Sequence, residues 1–503
     1  MTVFRLLVLL LAWCGLAHAE PAGITLSLAD DNALTVQYRF PAGASTLRFA
    51  MQDAQAWELV RKPHWRVLED CAVLEPQGLR RRSLQGCEVA TVRVEPGLLR
   101  LDRRFEPAQS LGDGALALHT RYYAVQGEDP AARWIVRAPA GGTAFWLGQE
   151  RPGGGEALVP APASGLQAQI DDTTVVLSRR PFEQWHGLRA LVADLPEAQR
   201  REIRAAAEAL LAEYRHSFGA LAFEPLLLAA GRSRAGAPFA AALLDPRLRG
   251  DDAAVGILPR GDVQDGTVRM TLEYSGKMGD RGRGALRVFL AHELFHLWHG
   301  RRFHAAGEAW LGEGNADWIA LNTLHRMGWM NDSVYVLLLE QAFNECAAGI
   351  GPQPWRSAPQ RQAGTLPYRC GLAFQAMAFE AARREGNSTA PLDQWRAILS
   401  GAGAVDEAAF FSWYGRADFG GARLDALRAL LAGDAPFAPG LPAAMRAAGV
   451  SFDLAPSLSW MPPACGSKAA AIQVNCVDAP SVPGGYIHLG VIGSAKSRVE
   501  IRQ

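Results

Sequence analysis

Lysine is nearly missing from this chain. Lys62, Lys277, Lys468 and Lys496 are the only four in 503 residues, so almost all positive charge is carried by arginine. No excess of one sign exists either, because 51 basic residues balance 51 acidic ones. That balance excludes the strong one-signed field that draws a protein to nucleic acid or to an anionic membrane. The arginines are scattered among acids, which marks them as compositional bias rather than a binding surface. Beyond the N-terminus no segment reaches the ~20 apolar residues that a membrane span requires. Cysteine is sparse, with seven residues and none at the paired spacing of a zinc finger or a C-x-x-C redox site.

The N-terminus reads as a secretory signal peptide over residues 1–19. Arg5 opens it, an apolar run follows from Leu6 to Ala17, and Ala17-His18-Ala19 offers a small-x-small cleavage site. A lipoprotein signal at Cys14 is disfavoured by bulky Trp13 beside it. The mature chain is expected to be exported, periplasmic or secreted, with no transmembrane segment. Once Cys14 leaves, an even six cysteines remain, and an oxidising compartment favours disulfides. Proximity in sequence suggests Cys71–Cys87 and Cys465–Cys476, with Cys346–Cys370 left over. Asn331-Asp332-Ser333 and Asn387-Ser388-Thr389 fit the glycosylation pattern, which matters only in a host that glycosylates.

Roughly 480 mature residues suffice for two or three domains with substantial cores. Over 20–190 the apolar pattern has period two. Leu34, Val36, Tyr38 and Phe40 alternate with polar residues, and similar runs occur at Val89–Val94, Tyr122–Val125, Trp134–Val136 and Val175–Leu177. Turn signals separate them, so an antiparallel β-sandwich is expected, with Arg151–Gly155 as a flexible loop. From 191 to 450 the pattern changes. Asp194-Leu195-Pro196-Glu197 resembles a capped helix start, and Ile203, Ala207, Leu210 and Tyr214 follow at helical spacing. Strands are expected at Leu226–Ala229, Val255–Leu258 and Val268–Tyr274. Helices follow at Val334–Cys346, Tyr368–Arg384, Leu392–Leu399, Glu407–Tyr414 and Leu424–Leu431. Residues 451–503 return to proline, glycine and short β patterns such as Tyr486–Val491, a small β extension. The fold class is therefore α+β and multidomain, with a mixed sheet and a helical half in its central part.

Chemistry concentrates at Ala291-His292-Glu293-Leu294-Phe295-His296-Leu297-Trp298, an H-E-x-x-H motif. Histidines four apart lie on nearly the same helix face, so His292 and His296 can direct two imidazoles at one metal ion. Glu293 then lies beside that ion, placed to handle the proton of a water the metal activates. Leu286, Phe289, Leu290, Leu294, Phe295, Leu297 and Trp298 make the helix apolar on most sides, so its polar residues need partners. Five letters match by chance often in a chain of this length, and a third ligand would decide. Glu313 supplies one: it sits in Trp310-Leu311-Gly312-Glu313-Gly314-Asn315-Ala316-Asp317-Trp318, on an apolar helix running to about His325. Asp317, four residues on and on the same face, can accept the outer N–H of a ligating imidazole. His299 and His304 are expected to be ordinary polar residues near the site rim. The metzincin pattern fails, because its Gly and third His positions are occupied by His299 and Arg302.

The pair HELFHLW and WLGEGNADW resembles the gluzincin metallopeptidases. The tryptophan after the second histidine, followed by Arg301-Arg302, is similar to the glycyl aminopeptidase family within them. That resemblance covers about residues 285–380. It implies a thermolysin-like zincin catalytic domain between a sheet-bearing and a helical half, one zinc ion per chain, and a Tyr-x-x-Gly segment whose tyrosine helps hold the transition state. Pro367-Tyr368-Arg369-Cys370-Gly371 matches that segment. Two features depart from the pattern: no Gly-x-Met-Glu-Asn-like or Gly-Gly-x-Glu-His-like strand precedes the helix, and Asn315 replaces the usual aromatic. The C-terminal extension is too short for the complete PDZ domain that family often carries.

These residues predict metal-assisted hydrolysis of a peptide or protein substrate, with His292, His296 and Glu313 as ligands, Glu293 as general base and Tyr368 as oxyanion donor. An aminopeptidase and an endopeptidase remain alternatives, since the amino-end strand is not found. Two further readings are a catalytically idle zinc-containing binding protein of the same fold, against which intact Glu293 and Tyr368 argue, and a zinc hydrolase acting on a non-peptide substrate.

Overall fold

The structure, a computed structural model, describes residues 23–54, 56–96, 108–112, 114–126, 134–153, 157–158, 170–233, 257–274, 278–300, 308–387, 389, 391–400, 406–414, 421–457 and 482–490. The signal segment, Cys465, Cys476, Arg301, Arg302 and His304 lie outside the described residues. The chain divides into two compact units. The first runs to Glu183 and takes in Gln264–Thr267, and the second comprises Gln184–Val263 and the chain from Val268.

The first unit is built from sheets. One has six strands in the order Ala157–Leu158, Trp134–Arg137, Gly23–Leu28, Leu34–Arg39, Val89–Val94, Trp65–Val67. Another has five, in the order Gln149–Pro152, Thr143–Trp146, Thr174–Ser178, Ala115–His119, Ala108–Ser110. A small third sheet holds Thr46–Arg48, Gly78–Arg81 and Ala72–Glu75. The period-two alternation has its expected cause: Leu34, Val36 and Tyr38 are buried while Thr35 and Gln37 are partly exposed. Inward residues of the two larger sheets, among them Ile24, Leu26, Val36, Leu116, Leu118 and Leu177, share one apolar core. Cys71 and Cys87 are disulfide-bonded.

Several expectations need correction. The six-stranded sheet is not wholly antiparallel, because Gly23–Leu28 pairs in parallel with Trp134–Arg137 across a long connection. Tyr122–Val125 is not a strand. Thr120–Tyr122 forms a 3₁₀ turn closed by the Tyr123 and Ala124 N–H groups donating to the Thr120 carbonyl, 2.8 and 3.0 Å away. Arg151 and Pro152 end a strand paired with Thr143–Trp146 rather than a loop; proline is tolerated there because the strand is at the sheet edge. Asp194 does not cap a helix: its φ of 54° places it in the left-handed region, and the helix begins only after Pro196 without a side-chain cap.

A five-stranded sheet, of which all but Glu183, Gln264 and Thr267 belongs to the second unit, has the order Glu183–Trp185, Leu188–Ala193, Leu226–Ser233, Thr267–Tyr274, Ile257–Gln264. Helix α1 (Glu197–Phe218) links Leu188–Ala193 to its parallel neighbour Leu226–Ser233. The last two strands are joined through Asp265-Gly266, both at positive φ (47° and 81°), the conformation of a tight two-residue hairpin. The chain then enters α2 (Asp280–His299), α3 (Ala309–Arg326), α4 (Asp332–Ile350) and α5 (Leu366–Arg384). Helices α6 (Pro391–Ser400), α7 (Glu407–Tyr414), α8 (Asp425–Ala432) and α9 (Phe437–Ala448) follow. Phe452–Ala455 and Tyr486–Leu489 pair antiparallel, and Asn344 of α4 exchanges both backbone hydrogen bonds of Ile487, at 2.8 and 3.0 Å. No helix among the described residues is long and apolar enough to cross a membrane.

α2 is buried on nearly every side. Leu286, Leu290, Ala291, Leu294 and Phe295 are fully enclosed, and the Tyr214 hydroxyl of α1 donates to the Ala291 carbonyl at 2.7 Å. α3 starts where the Gln362 side chain accepts from the Ala309 N–H at 2.9 Å, standing in for a local cap. α3 and α5 then cross at two glycines. A Cβ on Gly371 would overlap the Trp310 carbonyl oxygen and lie 2.6 Å from the Gly314 Cα, and one on Gly314 would run into Gly371. The first turn of α5 is pinned to α4 by the Cys346–Cys370 disulfide and by the Arg369–Glu345 ion pair at 2.7 Å.

Gly371→Ala should therefore force α3 and α5 apart and destabilise the protein by about 1–3 kcal/mol, the scale of an overpacked core. Gly284→Ala on α2 meets open space and is the control, expected to be neutral or slightly stabilising. Thermal unfolding of both variants checks this, and equal midpoints would show that the crossing is not tight.

Candidate functional site

α2 brings His292, Glu293 and His296 together: one side-chain ligand atom from each lies within 4.8 Å of the other two. Glu313, in the second turn of α3, closes the group. Its Oε2 is 3.2 Å from His292 Nε2 and 3.5 Å from His296 Nε2, and the two Nε2 atoms are 3.1 Å apart. A tetrahedral ion with bonds of 2.0–2.1 Å separates its ligand atoms by about 3.3–3.4 Å. The two imidazoles and Glu313 thus already have the edge lengths of such a site. Glu293 belongs to the cluster but is not a corner of that triangle.

Proton accounting agrees. Asp317 Oδ1 is 2.8 Å from His292 Nδ1 and only accepts, so that nitrogen carries a proton and a neutral His292 turns its Nε2 lone pair inward. There it faces the Glu313 carboxylate, another acceptor, and a positive charge is wanted between them. When protons alone are considered, the pKa shifts report the same demand. Burial disfavours the His292 imidazolium, but Asp317 and Glu313 outweigh it and hold its pKa well above the usual histidine value. Burial likewise opposes ionisation of Glu313, yet hydrogen bonds from His292 and His296 hold it well below the usual carboxylate range. Burial pushes the Glu293 carboxyl up to about 8, opposed by His292 and reinforced by Glu313, Asp262 and Asp317. These groups fit a dication held by two neutral imidazoles and a carboxylate.

Tyr368, in the first turn of α5, stacks on His292 with ring centroids 5.5 Å apart. Its phenol pKa is raised by burial first and then by the charges of Glu313, Glu293 and Asp317, so it stays a hydrogen-bond donor, and it bonds Glu313. All six residues singled out for the site, His292, Glu293, His296, Glu313, Asp317 and Tyr368, are thus adjacent.

His299 is the exception to expectation. It is not at a rim but fully buried, with its Nδ1 3.1 Å from His296 Nδ1. The i,i+3 spacing on α2 is the one signal in the sequence that points to this contact. Asn315 is buried on the far side of α3 and accepts from the Gln375 amide, which also accepts from the Tyr414 hydroxyl at 3.2 Å. An aromatic there would displace this network. The sequence shows neither of the amino-end strand motifs, yet an edge strand, Ile257–Gln264, does run beside α2. A Cβ on its Gly261 would lie 2.8 Å from Phe289. Its Asp262 pairs with Arg269 at 3.1 Å and is near enough to help raise the Glu293 pKa.

No family profile matches the sequence, and no curated protein matches it. Solved structures do. An aminopeptidase N family protein from Idiomarina loihiensis superposes with a TM-score of 0.57 at 14% identity, covering 86% of this chain and 79% of that one. An M1 zinc metallopeptidase from Deinococcus radiodurans, bound to a Tyr-Ser-Ala substrate, gives 0.41 at 14% identity over 82% of this chain and 92% of that one. Aminopeptidase A of Legionella pneumophila, in complex with aspartic acid, gives 0.42 at 10% identity over 83% of this chain and 49% of that one. Over 86% of its length the chain thus has the fold of that aminopeptidase N family protein from Idiomarina loihiensis.

Proposed function

We propose that this protein is a zinc-dependent peptidase that holds one metal ion through His292, His296 and Glu313 and hydrolyses peptide bonds, possessing the architecture of an aminopeptidase. The observation that carries this reading is the triangle of 3.1, 3.2 and 3.5 Å between three ligand atoms, with Glu293 beside it and Tyr368 across it. Zinc held there supplies Lewis acidity and activates water. Glu293 takes the proton of the attacking water and returns it to the departing amine. Burial lifts its carboxyl to about 8, and a dication bound beside it would lower that value again, which suits a group that must both accept and release a proton. Asp317 fixes the tautomer and orientation of His292. Tyr368 donates to the oxyanion as charge develops on it. The two disulfides among the described residues support an exported protein, since such bonds persist in oxidising compartments.

Cleavage of a mixed peptide library by the purified protein, read by mass spectrometry, tests the reading. Products shortened by one residue from the amino end mean an aminopeptidase, and internal cuts mean an endopeptidase. Silence with zinc bound means a binding protein.

Three variants test the roles. Glu313→Ala should retain zinc much more weakly by elemental analysis, and undiminished zinc removes Glu313 from the ligands. Glu293→Gln should keep fold and zinc yet lose about 10²–10⁴ in kcat, because an amide cannot take the proton; near-normal turnover ends the general-base role. Tyr368→Phe should lower kcat by roughly 10²–10³ with little change in KM, zinc content or unfolding temperature. Parallel loss of stability and activity would mark Tyr368 as a packing residue.

A further inference from the structure

We propose that His299 is the positioning partner of His296, accepting its Nδ1–H and thereby turning the His296 Nε2 lone pair toward the ligand triangle. The proposal rests on the assignment of His292, His296 and Glu313 as metal ligands. The two Nδ1 atoms are 3.1 Å apart, a hydrogen-bond distance between two groups that are each donor or acceptor but not both at once. If neither nitrogen carried a proton, two lone pairs would face each other; if both did, two N–H groups would collide. One donates and the other accepts.

The direction follows from the other side of the ring. Were His299 the donor, a neutral His296 would carry its proton on Nε2, the atom 3.1 Å from His292 Nε2 and 3.5 Å from Glu313 Oε2. That proton and a cation compete for the same space. A cation in the triangle therefore selects the state in which His296 donates and His299 accepts, and a side chain at 299 that can accept favours the cation in return. Packing holds His299 in this position. It is fully buried, its ring lies 5.6 Å from that of Phe295, and its Cε1 faces α3, where a Cβ on Gly312 would be 3.6 Å away.

The two imidazole ligands are then supported unequally. His292 leans on a carboxylate, which raises its basicity, whereas His296 leans on a neutral ring. A dication with Glu313 and Asp317 makes the ligands and their supports neutral together. A second supporting carboxylate in place of His299 would leave that set with a negative charge and weaken the acidity that the reaction needs.

The test compares wild type with His299→Asn, His299→Phe and His299→Gln, all as full chains. The asparagine oxygen stands the same number of bonds from Cα as Nδ1 and keeps an acceptor there. Phenylalanine keeps the ring but has no acceptor, and glutamine places its polar end where Nε2 was. Zinc affinity is read by chelator competition, ligand geometry by the visible spectrum of the cobalt-substituted protein, and fold by thermal unfolding after metal removal. His299→Asn should bind zinc within a few-fold of wild type with an unchanged cobalt spectrum. His299→Phe and His299→Gln should bind about 10–100-fold more weakly with an altered spectrum and little change in unfolding of the stripped protein. Wild-type affinity in His299→Phe or His299→Gln, equal losses in all three variants, or a wild-type chain that holds no zinc would each overturn the proposal. A wild-type chain that holds zinc but cuts no peptide would remove the peptidase reading while leaving this comparison decisive.

Discussion

Two imidazoles and a carboxylate held around one point inside a helical core are the constraint on which the second unit depends. His292 and His296 place their Nε2 atoms 3.1 Å apart and 3.2 and 3.5 Å from Glu313 Oε2, so two imidazoles and a carboxylate crowd around one point. In water such an arrangement would relax at once. Here it cannot: α2 is enclosed by α1 and the sheet, and α3 is locked against α5 where Gly314 meets Gly371. The apolar surroundings that make unpaired charge costly also strengthen any ion–ligand attraction within them. The packing thus holds two imidazoles and a carboxylate together, the arrangement on which the proposed metal site rests.

The same packing explains why acid–base chemistry sits beside that demand. Glu293 is adjacent to His292 on α2 and so is carried into the same buried space, among the charges of Glu313, Asp317 and Asp262. Like charges in a region of low dielectric raise a carboxyl pKa, and a neighbouring cation lowers it again. In the proposed site, the proton affinity of Glu293 would depend on whether the cation is bound. Arg269 pairs with Asp262 at 3.1 Å, and Arg369, paired with Glu345, also interacts with the charge of Asp317.

How much of this is legible in the chain depends on whether the signal is local. H-E-x-x-H is a helix-face pattern, and its spacing alone places His292 and His296 side by side; Glu407–Tyr414 and Val89–Val94 likewise match their elements because one period runs through each. Glu313 is legible from its own helix, with Asp317 one turn on, whereas the role of Tyr368 rests on resemblance, since nothing in residues 309–371 states that α3 and α5 cross. The crossing depends on two glycines far apart in sequence, each unremarkable until the other is opposite it. His299 departs from expectation for another reason: polarity suggests exposure, whereas a partner one turn back makes its burial tolerable. Tyr122–Val125 shows apolar β-type residues closing a turn, because the chain's tertiary hydrogen bonds outweigh strand propensity. The parallel pairing of Gly23–Leu28 with Trp134–Arg137 leaves no local trace at all.

Tyr368 shows what the helical half would add to the proposed metal site. A donor aimed at a developing oxyanion contributes only if it stands in place before charge appears, since reorganising it during the reaction would return most of the gain. A tyrosine in the first turn of a helix is poorly suited to that, because helix ends fray. Here the turn is restrained by three contacts to two helices: Cys370 is disulfide-bonded to α4, Arg369 is paired with Glu345 of α4, and Gly371 abuts α3. These contacts leave the turn little freedom, and the phenol of Tyr368, immediately before them in the chain, lies against His292 and Glu313. The short segment Tyr368–Gly371 therefore joins three helices at one point, and the position of the phenol relative to the ligand triangle is a consequence of how those helices pack rather than of any property of the tyrosine itself.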